Sequence, residues 1–167
     1  MLKKLVVSLF TIVLISGCTM KYSFTGASIA PDVKTVSVGY FRNVAPLVNP
    51  KLSQQFTESL KDKLLSETSL RLTSGEGDLM YEGEIIGYDQ TYQGIQANET
   101  AQLNKLTITV KIRFTNNKDP LKTFEKTFSK NASYDANTNF NQIEDDLVKQ
   151  IVEELLTDIF SNTVADW

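Results

Sequence analysis

The sequence predicts an α+β domain in which two helices pack on one face of a four-stranded mixed sheet. The predicted order is strand, helix, strand, strand, strand, helix. Two stretches carry apolar residues at helical spacing and four others alternate between apolar and polar residues. A helix between the first two strands favours a right-handed parallel crossover, and the short turns that follow favour an antiparallel meander. Helices on one face bury both apolar stripes, so the other sheet face is expected to be polar.

The first strand and helix occupy the segment up to residue 69. Residues 33–41 alternate and are rich in β-branched side chains, which predicts the first strand. Asn49 is expected to cap the first helix, and Pro50 suits its first position because the missing N–H costs nothing there. An apolar stripe at a spacing of four then follows, formed by Leu52, Phe56, Leu60 and Leu64.

The second and third strands are predicted at residues 79–88 and 103–115. Gly83 and Gly87 in the second strand indicate a bulge or a close approach by a helix. The polar residues 89–101 are expected to form a long hairpin loop, a kind of loop that is often functional. The third strand alternates most clearly, with Lys105, Lys111 and Arg113 on its polar side.

The fourth strand is predicted at residues 121–132. Phe124 and Phe128 define its apolar side, and Lys126 and Lys130 share that side. Inward-facing lysines are one way in which proteins protect an edge strand from pairing with another chain.

The second helix is expected to begin at residues 139–141. Asn141 and Glu144 have the spacing of a capping box, with Asn in place of the usual Ser or Thr. Its apolar stripe is sustained over Ile143, Leu147, Ile151, Leu155 and Ile159.

The first 18 residues have the pattern of an export signal that ends at the single cysteine. Lys3 and Lys4 precede an apolar run over residues 5–15, which is too short to span a bilayer but suits a secretory signal. The stretch Ile15-Ser16-Gly17-Cys18 resembles the bacterial lipobox. That resemblance implies cleavage before Cys18 and the attachment of diacylglycerol and an N-acyl chain. An ordinary signal peptide followed by an incidental free or buried cysteine is the alternative.

This interpretation divides the chain into three parts: a signal peptide at 1–17 that is removed, a lipidated tether at 18–32, and a single α+β domain at 33–167. Several acyl chains would hold the mature protein on a membrane surface persistently. Residues 1–17 contain two of the 17 basic residues and none of the 20 acidic ones, so the mature chain has a net charge of about −5.

The residue inventory excludes several classes of chemistry. The sequence contains no histidine, so a Ser-His-Asp triad, a Cys-His pair and a His-ligated zinc site are impossible. With one cysteine there is no internal disulfide, and no metal or cofactor is expected besides the covalent lipid. A carboxylate-only enzyme survives formally, but no carboxylate pair is set in an apolar context. We therefore expect a protein that is not an enzyme.

Charge is unevenly distributed along the second half of the chain. Seven basic and two acidic residues lie between Lys105 and Lys130, whereas one basic and eight acidic residues follow from Asn131 onward. A solvated sheet face with edge-strand lysines explains this pattern, and a site for phosphorylated or anionic groups is the sharper alternative. An acidic, exported chain without a stacking motif for bases is not expected to bind nucleic acid.

Several motifs taken in order resemble the LptE family of lipopolysaccharide (LPS) assembly lipoproteins, in its Bacteroidetes-type branch. The lipobox is followed by Tyr22-Ser-Phe24-Thr-Gly26, Tyr40-Phe41-Arg42-Asn43, residues 50–62, residues 77–85, residues 103–108, Ile159-Phe160 and Asp166-Trp167. The resemblance covers nearly all of the mature chain.

The resemblance implies a function at the outer membrane. Proteins of this family act as a plug inside the LPS-translocon β-barrel LptD, assist assembly of that barrel and insertion of LPS into the outer leaflet, and are thought to bind LPS. It also implies a lipid-anchored position on the periplasmic side of the outer membrane, and a fold that agrees with the predicted one. The candidate contacts to LPS or to the barrel, chosen by charge and strand parity, are Lys105, Lys111, Arg113, Lys126 and Lys130. The alternative function is a free-standing periplasmic lipoprotein that binds another envelope partner or polymer.

Overall fold

The computed structural model describes residues 29–47, 49–92 and 102–165. The predicted signal peptide, Cys18, most of the tether and Trp167 lie outside these residues. Within them the order of elements is β1 (Thr35–Val38), β2 (Arg42–Asn43), α1 (Leu52–Glu67), β3 (Arg71–Leu72), β4 (Leu79–Tyr92), β5 (Leu103–Asn116), β6 (Phe124–Asp135) and α2 (Phe140–Phe160). A 3₁₀ turn, Pro120–Lys122, precedes β6, and a π-helical turn, Ser161–Ala165, follows α2.

The described strands form one mixed sheet in the order β3-β1-β4-β5-β6, with β2 also paired to β4. β1 is parallel to β4, and β4, β5 and β6 form an antiparallel meander, as predicted. The prediction of four strands is wrong, because the sheet has six. The two additional strands, β2 and β3, have two residues each and are therefore too short to show an alternating pattern.

Both helices pack against the same face of the sheet and against each other. The alternating apolar residues of β5 and the four of the α1 stripe are each at most 1% exposed, which confirms the predicted core; those of β5 are Leu106, Ile108, Val110, Ile112 and Phe114. In the core, the ring of Phe41 lies 5.0 Å from the ring of Phe56, and that of Tyr81 lies 5.1 Å from that of Phe114. We call the helix-covered side of the sheet the core face and the opposite side the open face.

A β-bulge lies between Ile85 and Gly87. A bulge was one of the two features that Gly83 and Gly87 were predicted to indicate. Ile86 is the extra residue, so the side chain of Tyr88 points to the core face and is only 4% exposed. At Gly83 a Cβ atom would collide with the backbone carbonyl of Lys111 in β5 and would lie 2.7 Å from the ring of Phe41, so the close neighbours are the next strand and a side chain before α1, and not the helix itself.

Several predicted strand boundaries need correction. β1 is Thr35–Val38 and not residues 33–41, and β6 ends at Asp135 and not at residue 132. Residues 89–92 belong to β4 and pair with β5 residues 104–107, so they are not part of the hairpin loop, and residues 93–101 lie outside the described part of the chain. Strand β6 begins at Phe124 and not at residue 121, because Pro120–Lys122 forms the 3₁₀ turn.

One helix start is confirmed and the other is wrong: α2 begins at Phe140, within the predicted residues 139–141, whereas α1 begins two residues later than predicted. Helix α1 begins at Leu52, and the side chain of Asn49 caps the preceding turn by accepting from the N–H of Lys51 at 2.9 Å. The N-cap of α2 is Asn139, which accepts from the N–H of Asn141 at 3.1 Å. Asn141 and Glu144 therefore form no capping box.

Glu144 has a different role from the predicted one. Its Oε1 accepts a hydrogen bond from the hydroxyl of Tyr88 and another, at 2.7 Å, from the side-chain amide of Asn49. Burial and the contact with Glu144 raise the pKa of Tyr88 above its usual value. The contact joins β4 to the start of both helices at one end of the sheet.

Asp78 ties together the opposite end. Its Oδ2 accepts from the N–H of Lys34 at 2.8 Å and from the N–H and the hydroxyl of Thr35 at 2.9 Å each. Its Oδ1 lies 3.1 Å from the ammonium of Lys118. These bonds, led by that from the Lys34 N–H, hold the pKa of Asp78 well below its usual value, so the carboxylate stays charged and fixes β1 beside β4.

Candidate interaction surface on the open sheet face

The structure separates the five candidate basic residues onto two faces of the sheet. Lys105, Lys111 and Arg113 lie on the open face, opposite the buried side chains of β5. Lys126 and Lys130 pair in register with Ile112 and Ile108, which places them on the core face. The basic residues of β5 and β6 therefore do not form one continuous surface.

Lys111 and Arg113 are brought together at one end of the open face by Glu125 of β6. The carboxylate of Glu125 lies 2.5 Å from the ammonium of Lys111 and 3.1 Å from the guanidinium Nη2 of Arg113. The hydrogen bond from Lys111, followed by that from Arg113, lowers the pKa of Glu125 below its usual value. All three side chains remain 39–62% exposed, so solvent screens this pairing.

Acidic residues of β4 border the same place. Glu82 and Glu84 pair in register with Arg113 and Lys111, and Glu84 also accepts from the guanidinium of Arg42 at 3.0 Å. A depression of about 170 Å³ is lined by Glu82, Gly83, Glu84, Lys111, Arg113 and Glu125. The surface thus offers two adjacent cations, but it surrounds them with carboxylates.

Lys105 lies apart from this pair. It pairs with Thr91 and Ser133, six residues along β5 from Lys111, which is a distance of about 20 Å on the open face. The side chains between them are uncharged, since Thr107 and Thr109 face outward and Thr109 exchanges a hydrogen bond of 3.0 Å with Ser129. One phosphate group cannot contact Lys105 and Lys111 together.

The two lysines on the core face are engaged with the C-terminal part of α2 and the turn after it. The ammonium of Lys130 lies 2.8 Å from Asp158, and this contact raises the pKa of Lys130. Lys126 donates to the side-chain oxygen of Asn162 at 2.7 Å and lies over the ring of Phe128 at 5.1 Å. Through these contacts, both lysines connect the edge strand β6 to the end of α2 and the turn after it.

Sequence reasoning placed the polar face of β5 correctly but missed the residues that define its charge balance. Arg42 lies just beyond the predicted first strand, so its pairing with Glu84 was not foreseen, and the pairing of Glu125 with Arg113 depends on the register of the hairpin. The sequence did contain a signal for Glu125: it lies between Phe124 and Lys126, which were predicted to face inward, so Glu125 should face outward.

The described residues contain no cluster of three His, Cys, Asp or Glu side chains arranged to hold a metal ion. In the same part of the chain, no helix has both the length and the apolar character needed to cross a membrane.

Two solved structures of low sequence identity share this fold. A homologue of a neuraminyllactose-binding hemagglutinin from Helicobacter pylori aligns with a TM-score of 0.52 and 10% identity, over 83% of this chain and 87% of that chain. A hypothetical protein from Chlamydia trachomatis aligns with a TM-score of 0.51 and 12% identity, over 80% and 99%. A minor lipoprotein from Acinetobacter baumannii aligns at 0.49 and 19%, over 78% and 90%.

No curated protein sequence matches the chain. A family model does match, over residues 33–162, and its description is LptE, lipopolysaccharide-assembly. This match covers the domain from the residues before β1 to the turn after α2. The family consists of envelope lipoproteins that are not enzymes. The chain therefore belongs to the LptE family of lipopolysaccharide-assembly lipoproteins.

Proposed function

We propose that this protein is the lipid-anchored plug and assembly partner of an LptD-like β-barrel in the outer membrane, where it assists insertion of LPS into the outer leaflet. The observation that carries this proposal is the family match, which spans the whole sheet and both helices. In this proposal Cys18 carries the lipid and holds the domain on the periplasmic side of the membrane.

The Lys111–Arg113 pair is the proposed contact with LPS. Two residues apart on one strand face, the side chains are about 7 Å apart, close enough to engage one phosphate or neighbouring anionic groups of lipid A. The guanidinium can bind phosphate in a bidentate manner and the ammonium adds a point charge. A phosphate must compete with Glu125 for both cations, and this competition weakens the site without blocking it.

Lys105, Lys126 and Lys130 are secondary contacts in this proposal. Lys105 can meet a second anionic group at the far end of the open face. Lys126 and Lys130 can contact LPS or the barrel wall only at the sheet edge, because α2 covers the core face beside them.

The decisive experiment is purification of the intact lipoprotein from detergent-solubilised outer membranes. A stable 1:1 complex with an LptD-like barrel is expected. Recovery of the protein alone would favour the alternative, a free-standing periplasmic lipoprotein. As a check of the anchor, Cys18→Ala is expected to lose incorporation of labelled palmitate, and retained label would contradict the lipobox.

LPS binding is tested separately with Lys111→Glu combined with Arg113→Glu. The double variant is expected to bind LPS at least tenfold more weakly, with the larger difference at low salt because the interaction is electrostatic. Its circular dichroism and melting temperature are expected to stay near the wild-type values. The matched control is Lys34→Glu with Arg71→Glu, which makes the same charge change at two exposed positions outside the proposed contacts and is expected to keep the wild-type LPS affinity. Unchanged LPS affinity in the folded open-face variant would reject this pair as the ligand site.

A further inference from the structure

Exposed apolar side chains are concentrated along one edge of the sheet. The described residues contain eight large apolar side chains that are substantially exposed, and five of them belong to β2, β4 or the residues that flank β2. These five are Tyr40 at 61%, Val44 at 51%, Leu47 at 56%, Ile86 at 38% and Tyr92 at 81%. Single exposed apolar residues are ordinary, but a group of them marks an interaction site.

The backbone beside this group is unpaired. β1 and β2 pair with β4 only as far as Ile85, where the N–H of Val44 donates to the Ile85 carbonyl at 2.9 Å. From Gly87 to Tyr92, no strand in the described part of the chain pairs with this side of β4, although β5 pairs with all of it on the other side. We call the segment Gly87–Tyr92, which has no partner on this side among the described residues, together with Val44 and Ile86, the β4 edge.

The register shows which groups of the β4 edge are available. The carbonyls of Tyr81 and Ile85 accept from Gly39 and Val44, so residues with core-facing side chains turn their N–H and C=O groups away from β5. After the bulge, Tyr88, Gln90 and Tyr92 take the equivalent positions opposite Ile108, Leu106 and Asn104. The backbone groups of these three residues therefore face the side on which the described part of the chain places no strand.

We propose that the β4 edge is the docking site for an extended segment of the barrel partner. The segment adds as a strand beside Gly87–Tyr92, in line with β1 and β2, and its apolar side chains meet Val44 and Ile86. Strand addition of this kind draws affinity from backbone hydrogen bonds and specificity from side chains at alternate positions. This inference rests on the proposed function, because it identifies the surface that meets the barrel.

The opposite edge of the sheet supports the contrast. β6 presents a longer edge, but Lys126 and Lys130 point inward there and α2 covers its core side, which are protective features of edge strands. Between Ile86 and Tyr92 the only charged residue is Asp89, so the β4 edge lacks charges of that kind.

The length of the chain outside the described residues, and the area that a dimer would bury, favour a segment of another protein as the strand that binds the β4 edge. Nine residues separate Tyr92 from Gln102, and a segment of nine residues is too short to run along six residues of edge and return. The tether of the proposed function, residues 18–28, enters the domain on the side of Lys34 and Thr35, which bond Asp78 at the other end of β4. Its eleven residues would have to span about 30 Å before they reached Gly87. A second copy of this chain paired through the same six residues, over about 20 Å, would bury much less than the roughly 800 Å² per partner of a stable complex. A barrel that encloses the domain supplies further contacts elsewhere.

The test uses the intact lipoprotein in detergent-solubilised outer membranes, with co-purification of the barrel as the readout. Gln90→Pro removes an N–H that faces this side of β4, so the sheet tolerates it while an incoming strand loses a hydrogen bond and meets the ring. Val44→Asp with Ile86→Asp removes the apolar contacts. Both variants are expected to recover at least tenfold less barrel than the wild type, with circular dichroism and melting temperature close to wild type. Leu65→Asp is the control. Leu65 lies on α1 and is 42% exposed, between the values of Ile86 and Val44, and this variant is expected to recover as much barrel as the wild type.

A photo-crosslinking side chain at Tyr92, compared with one at Leu65, tests the inference without disturbing the fold of the strand. Crosslinks to the barrel from position 92 alone are expected. Full barrel recovery by the folded Gln90→Pro and Val44→Asp/Ile86→Asp variants would overturn the docking site and leave the proposed function standing. Failure of the wild type to recover any barrel would overturn the proposed function, and this inference with it. A stable dimer that Gln90→Pro converts to a monomer would assign the β4 edge to a second copy and overturn the inference.

Discussion

The two pairs of cations on neighbouring strands, Lys111 with Arg113 and Lys126 with Lys130, differ in what surrounds them. The first pair lies on the open face and shares one exposed carboxylate, Glu125. The second pair lies on the core face, where Lys126 donates to Asn162 and Lys130 pairs with Asp158, a residue of α2. All four are basic residues of one hairpin, and the alternation of side chains along each strand places the two pairs on opposite faces of the sheet.

The difference shows that the function of a run of basic residues cannot be inferred until each residue is assigned to a face of the sheet. Cations that pair with the covering helix and the turn after it add contacts between that helix and the sheet edge, although Lys130 and Asp158 are still 32% and 44% exposed. Cations held by one exposed carboxylate are weakly committed, since an exposed ion pair contributes at most about 1 kcal/mol. The open-face pair can therefore exchange its partner for a ligand at little cost to stability.

The largest expected effect tests the separation of the two faces. Val110→Asp would place a charge at a core position that is 0% exposed, and we expect it to lower the free energy of unfolding by about 3–5 kcal/mol. Lys111→Asp changes the next residue, on the open face, and is expected to cost less than about 1 kcal/mol. Urea unfolding of the two variants measures this difference. Equal destabilisation would contradict the register of β5.

A carboxylate fixed by backbone N–H groups gives an intermediate case. Asp78→Asn keeps the shape of the side chain but removes its charge, and we expect a loss of about 1–3 kcal/mol at neutral pH. The folded-state pKa of Asp78 is lowered, so its contribution is complete above the ordinary value of 3.8 and is lost as the pH falls below that value. The stability difference between wild type and Asp78→Asn is thus expected to shrink below about pH 4. A difference that stays constant down to pH 2 would show that the charge is not what stabilises this end of the sheet.

The sequence was sufficient for the elements that have a long periodic pattern. The alternation of β5 and the stripes of α1 and α2 predicted the core face, and the order of the elements predicted the parallel pairing of β1 with β4. Strands β2 and β3 could not be predicted, because two residues give no alternation. Pairing across β5 and β6 was also beyond a single sequence, since the 3₁₀ turn at Pro120–Lys122 sets the register that places Glu125 beside Arg113.

A smaller effect distinguishes the core-face lysines from those of the open face. Lys130→Met removes the contact with Asp158, and we expect it to lower the melting temperature by about 1–3 °C. Because that contact raises the pKa of Lys130, its contribution is present at neutral pH and disappears as the pH rises through the lysine range. Lys111→Met is the matched control and is expected to leave the melting temperature unchanged, since the side chain is half exposed and Arg113 still pairs with Glu125. An equal shift in both variants at pH 7 would mean that the two faces hold their lysines alike.

The smallest expected effect concerns Glu125 as a competitor of the ligand. Glu125→Gln keeps the shape of the side chain but removes the charge that holds Lys111 and Arg113, so both cations become more available to a phosphate. An exposed ion pair of this kind limits the gain to about two- to fivefold in LPS affinity, and the gain is expected to fall at high salt. Because the lowered pKa keeps Glu125 charged well into the acidic range, wild type and variant should differ at every pH above its ordinary value. Reduced LPS affinity in Glu125→Gln, with a normal melting temperature, would show instead that Glu125 positions the two cations for the ligand. The carboxylate would then be part of the site, and Lys111 and Arg113 would be held in place as firmly as Lys126 and Lys130.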